Sequence, residues 1–132
     1  MRIEAREKAF QFIFQKLFVK DNFIDEEFFV SLKKEEDLQF AKEIIDNYEK
    51  NEQEIKNIIS SNLVGYELDR VYKVDLAVLL EAVTEIKYLK TPYQVVANEA
   101  VKIAKKYSTE KSGKFVNGVL SSIIKSQISE GK

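Results

Sequence analysis

Lys114-Phe115-Val116-Asn117-Gly118-Val119-Leu120 is the densest part of a longer segment, Thr91 to Lys125, on which the fold turns. Phe115, Val116, Val119, Leu120, Ile123 and Ile124 recur at helical spacing and predict a helix with one wide apolar face, with Lys111, Lys114, Ser121 and Lys125 off it. Ser108-Thr109-Glu110 begins this helix, supplying hydroxyls for a cap and an acid in the first turn, where the dipole favours negative charge. Gly118 breaks the pattern, because a glycine inside a helix costs about 1 kcal/mol relative to alanine. It is read first as a point of close approach by a neighbouring helix, and second as room for a ligand. Upstream, Thr91-Pro92-Tyr93-Gln94 predicts another helix start, with Thr91 as the cap, Pro92 in the first helical position and Gln94 closing a capping box. Val96, Ala100, Ile103, Ala104 and Tyr107 then face the core, and Lys102, Lys105 and Lys106 lie away from them. The segment is therefore two packed helices joined at an elbow, with lysines on their outer faces.

Working outward, 132 residues suffice for a single domain that buries about two thirds of the surface its unfolded chain exposes. With 45% hydrophobic and 33% charged residues, the composition predicts a soluble globular chain. The absence of cysteine excludes disulfides, thiolate nucleophiles and cysteine metal sites, and the absence of histidine removes the commonest general base and metal ligand. No cofactor is expected. No apolar run reaches the length of a membrane span and the start does not read as a signal peptide, so a cytoplasmic location is expected. One proline and four glycines disfavour an all-β fold. The formal charge of −1 conceals an asymmetry: residues 1 to 20 carry +3, residues 101 to 132 carry +5, and the middle carries −9. Two basic ends brought together would attract phosphates; kept apart, they are ordinary solvated helix faces.

The first helix is predicted from about Arg2 to Lys20, with Ala5, Ala9, Phe10, Ile13, Phe14, Leu17 and Phe18 on its apolar face and Arg2 and Arg6 one turn apart outside it. Asp21-Asn22 interrupts the pattern, Asp25-Glu26-Glu27 starts a short helix through Leu32, and a long helix follows from about Glu36 to Asn62. Its polar interval, Glu49 to Glu54, is either exposed or bent, and Gly65 is read as its C-cap. Tyr66, Leu68 and Val71 make a short apolar turn. Val74 to Leu89 is apolar nearly all round, which predicts the central helix of a bundle, with Asp75, Glu81 and Glu85 as its acidic positions. No phosphate loop and no nucleophile-and-base constellation occurs, and the paired carboxylates lie on helix faces near lysines, so catalysis is not expected.

In this order the chain resembles the NusB family of bacterial transcription antitermination factors. The likeness is carried by Ala5-Arg6-Glu7-Lys8-Ala9-Phe10-Gln11; by Leu68-Asp69-Arg70-Val71 leading to Val74-Asp75 and Ala77-Val78-Leu79; by Pro92-Tyr93 with Val96-Ala97-Asn98-Glu99-Ala100-Val101 and Ala104-Lys105; and by Lys114 to Leu120. The last two blocks, at their mutual spacing, are the specific ones. The resemblance implies an all-α fold of about seven helices in two bundles. It also implies binding of a single-stranded RNA element, boxA, together with the ribosomal protein that doubles as NusE, in an elongation complex with RNA polymerase on ribosomal RNA operons. A helical protein-interaction adapter without RNA binding is the rival reading, with the acidic middle as its working surface.

By position, the family's RNA surface falls on Arg2 and Arg6 at the start of the first helix and on Tyr107, Lys111, Lys114, Phe115 and Asn117 around the elbow. Aromatic rings flanked by cations suit unpaired RNA, whose bases stack while its phosphates are neutralised. Core packing competes for Tyr107 and Phe115, since both lie on apolar stripes, and Asn117 can equally bridge backbone. The partner surface falls on Phe14 and Asp75, with Glu81 and Glu85 beside them, where a core role for Phe14 and solvated faces for the two glutamates are the alternatives. Asn98 and Glu99 read as buried hydrogen-bonding groups. Leu80 stands where the family carries an arginine, Thr84 where it carries an aromatic, and the first helix has fewer arginines than the family pattern. The whole RNA surface requires the first turn of the chain and the final elbow to lie side by side.

Overall fold

The computed structural model describes residues 2–19, 26–65 and 67–130. Among them are five α-helices and no strand: α1 (Ile3–Lys16), α2 (Glu35–Ser61), α3 (Lys73–Thr84), α4 (Tyr93–Tyr107) and α5 (Glu110–Glu130). The count of seven is thus corrected to five. The extra segments are single turns, 3₁₀ at Glu26–Phe29 and Leu68–Arg70 and π at Glu85–Leu89. The interruption at Asp21-Asn22, Asp25 and Tyr66 lie outside the described residues.

α3 is the centre. Every residue from Asp75 to Thr84 is buried, and α1, α2, α4 and α5 all pack on it. Its Leu76, Val78, Leu79, Leu80 and Val83 each contribute on the order of 1.5–3 kcal/mol by leaving water, which is why a segment apolar on all faces takes this position. Thr84 lies in the same environment and satisfies its hydroxyl by donating to the Leu80 carbonyl at 2.6 Å. Such a bond back to the preceding turn loosens the helical ladder, and the π turn begins at the next residue. Lys90 ends that turn in the left-handed region, at φ 59°.

α1 and α2 pack on each other and on α3, and α4 and α5 form a hairpin against α3. The polar interval of α2 contains a bend, at Asn51 (φ −125°, ψ 21°). α1 stops at Lys16, short of the expected Lys20, and Phe18 is 61% exposed, outside the core it was expected to join. Phe12 is buried instead, with its ring edge-on to Phe28. α2 is closed by Asn62, whose N–H reaches the Ile59 and Ser60 carbonyls, so Gly65 does not cap it. That glycine makes a later turn at φ 88°. The predicted capping box at α4 does not form either. Pro92 is the cap, its carbonyl accepts from the Val95 and Val96 N–H groups, and neither Thr91 nor any other side chain caps the helix.

Candidate nucleic-acid interface

The elbow forms as its sequence predicts. Thr109 Oγ1 accepts the Ser112 N–H at 3.2 Å, and the Gly113 N–H reaches the Thr109 carbonyl. Gly113 is the close-packed glycine: a Cβ there would lie 2.9 Å from Lys105 Cε and 3.0 Å from its Cγ. Gly118, expected to serve helix packing, is exposed, and a Cβ there would meet nothing within 4 Å. It borders an open recess of about 300 Å³ with Val64, Lys114, Phe115 and Ser122. On the other side of Lys114, a groove of about 580 Å³ runs between α4 and α5, past Asn98, Lys102, Lys105 and Asn117. Asn98 is exposed in this groove and Glu99 is half-buried, so neither is the buried bonding group expected of it.

Exposed cations converge here, but most are already paired. Lys102 bonds Glu99 (3.2 Å), Lys105 bonds Glu110 (3.5 Å) and Lys106 bonds Glu7 (2.9 Å). Among the described residues Lys111 and Lys114 make no ion pair, and both are exposed. Tyr107 is 38% exposed, with its ring 5.0 Å from that of Phe10. Its hydroxyl donates to Glu7 at 2.8 Å and accepts from the Gln11 amide at 3.1 Å. Burial first, and then the neighbouring Glu7 carboxylate, raise this phenol above its ordinary range. Phe115 is half-buried and Asn117 exposed.

α1 does reach the elbow, but through Glu7, Phe10 and Gln11 rather than through its arginines. Arg6 was expected at the surface and is buried, with Nε 2.8 Å and Nη2 3.0 Å from the two carboxylate oxygens of Glu85. Nε and Nη2 are engaged in a bidentate pair, and with its side chain only 7% exposed Arg6 does not present its charge at the surface. Burial opposes the guanidinium charge, yet the Glu85 bond and charge outweigh it and raise Arg6 above its usual value. Arg2 stacks 4.2 Å above the Phe40 ring and borders a recess with Thr91, at the N-terminal end of α4. The elbow lies at the C-terminal end of α4, a helix of 15 residues and hence about 22 Å long. Arg2 thus opens on a different recess from those of the elbow, although Glu7, five residues further along α1, bonds Lys106 and Tyr107 there.

The expected partner residues are corrected in the same way. Glu81 and Glu85 lie inside, at 1% and 0% exposure, and Asp75 is 5% exposed. Burial, reinforced by Glu85, pushes Glu81 well above the carboxylate range, and its Oε2 has no hydrogen-bond partner. Burial also raises Asp75, opposed by a hydrogen bond from the Ser112 hydroxyl. Phe14 is half-buried, its ring 6.1 Å from Phe10 and 5.2 Å from the exposed Phe18. Sequence reasoning missed Glu7, Gln11, Gly113 and Ser112. One signal was present for Ser112: it stands four residues before Val116, at a polar position on the apolar stripe of α5.

The family model for NusB matches residues 3–125. This chain belongs to the NusB family. The transcription antitermination protein NusB of Listeria innocua is 42% identical over 123 residues, covering 92% of this chain and 94% of that one. T. maritima NusB superposes with a TM-score of 0.86 at 35% identity, over 95% of this chain and 91% of the other. A NusB solved with NusE in complex with dsRNA gives a TM-score of 0.84 at 32% identity, over 95% and 96% of the two chains. The NusB fold seen here is all-helical. Among its described residues no helix is long and apolar enough to cross a membrane.

Proposed function

We propose that this chain is a transcription antitermination factor that binds single-stranded boxA RNA of ribosomal RNA operons together with NusE, as one domain acting in the cytoplasm beside RNA polymerase. The relative solved with NusE and RNA supports the class of ligand. The observation that carries the assignment is the elbow itself, where the exposed Lys111 and Lys114 form no ion pair among the described residues, Lys114 borders a recess with Phe115, and the Tyr107 ring is partly exposed. Cations without a partner neutralise phosphates at no cost in broken ion pairs, and rings beside them give bases a stacking surface. Asn117, exposed in the adjoining groove, adds a hydrogen-bonding group. Arg6 is withdrawn from the RNA surface, and Arg2 opens on a separate recess with Thr91. On α1, Phe14 and its neighbour Phe18 form the apolar surface offered to NusE.

Titration of labelled boxA RNA, with and without NusE, tests this function. Binding in either condition supports it; binding in neither leaves the helical adapter. The double variant Lys111→Glu/Lys114→Glu is expected to weaken RNA binding about tenfold or more without lowering the thermal midpoint. Equal affinity of variant and wild type removes the elbow from the site.

A further inference from the structure

Three hydrogen bonds at the elbow converge on a single carboxylate of α1. Lys106 Nζ donates to both oxygens of Glu7, at 2.9 and 3.0 Å, and the Tyr107 hydroxyl donates to the first of them at 2.8 Å. The Gln11 amide donates to that hydroxyl at 3.1 Å, so the hydroxyl's own proton is committed to Glu7. Phe10 backs the Tyr107 ring at 5.0 Å between centroids, and Lys106 Nζ stands 5.5 Å from the centroid of the same ring. A cation and a hydroxyl donor aimed at one point suit a phosphate oxygen, and a ring beside them suits a base. The point is open to solvent, since the Lys106 side chain is 61% exposed and that of Glu7 17%. Lys102 and Lys105 meet their carboxylates at 3.2 and 3.5 Å; the Glu7 pair is shorter and has the hydroxyl as a second donor. Glu7 thus fills, from inside the chain, the position that a phosphate would take.

We propose that Lys106 and the Tyr107 hydroxyl form a phosphodiester subsite of the RNA surface, and that Glu7 occupies it as a built-in counter-ion that withholds both groups from the strand. The inference rests on the RNA-binding function proposed above and adds to it a phosphate contact together with the residue that suppresses it. A phosphodiester and a carboxylate each carry one negative charge, so the two compete for the same donors. The carboxylate is tethered within reach and competes at high effective concentration. A strand held at Lys111 and Lys114 therefore passes a Lys106 that is already neutralised. The pair is exposed and hence weak, so removing the carboxylate is enough to change the balance. Its removal leaves Lys106 Nζ and the Tyr107 proton without their acceptor, while the Gln11 amide still holds the hydroxyl oxygen. A purely structural tie between α1 and α4 would behave differently: its loss would lower stability and leave RNA binding as it was.

Fluorescence anisotropy of labelled boxA RNA over a range of salt concentrations, with and without NusE, tests the proposal. Glu7→Ala is expected to bind about fivefold tighter than wild type, with the slope of log K against log salt steeper by about 0.7, the value of one added phosphate contact on a single strand. Glu7→Gln, of the same size, is expected to move both in the same direction. Adding Lys106→Ala to Glu7→Ala is expected to return the slope to that of wild type. Tyr107→Phe changes neither charge nor ring, and is expected to cost about threefold in the Glu7→Ala protein and less than that in wild type. Binding by Glu7→Ala no tighter than by wild type, tighter binding at an unchanged slope, or an equal Tyr107→Phe loss in the two backgrounds overturns the subsite while leaving RNA binding intact. A Glu7→Ala chain with a lowered thermal midpoint and unaltered RNA affinity makes the carboxylate a structural tie and also overturns it. Failure of both wild type and Glu7→Ala to bind RNA in either condition overturns the RNA-binding function as well.

Discussion

Arg6 and Glu81 show what burial does to a charge whose position in the sequence looks superficial. Removing one member of a buried pair strands the other, which typically costs about 3–5 kcal/mol. Arg6→Ala is therefore expected to lose that much stability in urea denaturation, with Glu85 left charged in the core, whereas Arg6→Met/Glu85→Leu recovers most of the loss. A loss below about 1 kcal/mol for the single variant, the range of an exposed pair, would mean that Arg6 sits in solvent. Glu81 makes a pH-dependent contribution. Its folded form holds a proton that the unfolded chain releases above about pH 4.3, so its contribution is complete below that pH and is lost as pH rises through the raised folded value. Glu81→Gln stays neutral throughout and is expected to gain thermal stability over wild type progressively between pH 5 and pH 8. Parallel melting curves for the two proteins across that range would contradict it. Neither outcome could be read from residue type: Arg6 falls beside an apolar stripe, as surface arginines do, and only Glu85, 79 positions away, turns it inward.

For single elements, caps and glycines are where local rules were overridden. Thr109 caps α5 because nothing competes for its hydroxyl, whereas at α4 the backbone enters one residue later than Thr91-Pro92 suggests, and the Pro92 carbonyl takes the free N–H groups. The two glycines of α5 carry the same one-letter signal and opposite meanings. Gly113 lets α4 come close, while Gly118 faces an open recess. Gly118→Ala is expected to raise stability by about 1 kcal/mol through helix propensity alone, and to weaken RNA or NusE binding if that recess is occupied in the complex. A destabilised Gly118→Ala would show that a neighbour does pack there. Helix existence, in contrast, was legible wherever apolar spacing persisted, as in α2 through its bend and in α3 throughout.

Across the whole molecule, charge is segregated more than the net value of −1 suggests, but several cations of the two basic ends are already paired with carboxylates. Arg6 is paired inside and Lys102, Lys105 and Lys106 each hold a carboxylate, so few cations act on one RNA segment and a shallow salt dependence follows. Removing two phosphate contacts from a single strand changes the slope of log K against log salt by about 1.4. Lys111→Glu/Lys114→Glu is expected to flatten the slope by at least that amount; an unchanged slope would place the phosphates elsewhere. The sequence by itself determined the helical class, the central position of α3, the elbow and the family, because each depends on periodicity or on local chemistry within a few residues. Only the tertiary structure decided that Arg6, Glu81 and Glu85 are core and that Gly118 is open. Whether a charge or a bare backbone meets water depends on the helices packed over it, and those come from distant parts of the chain.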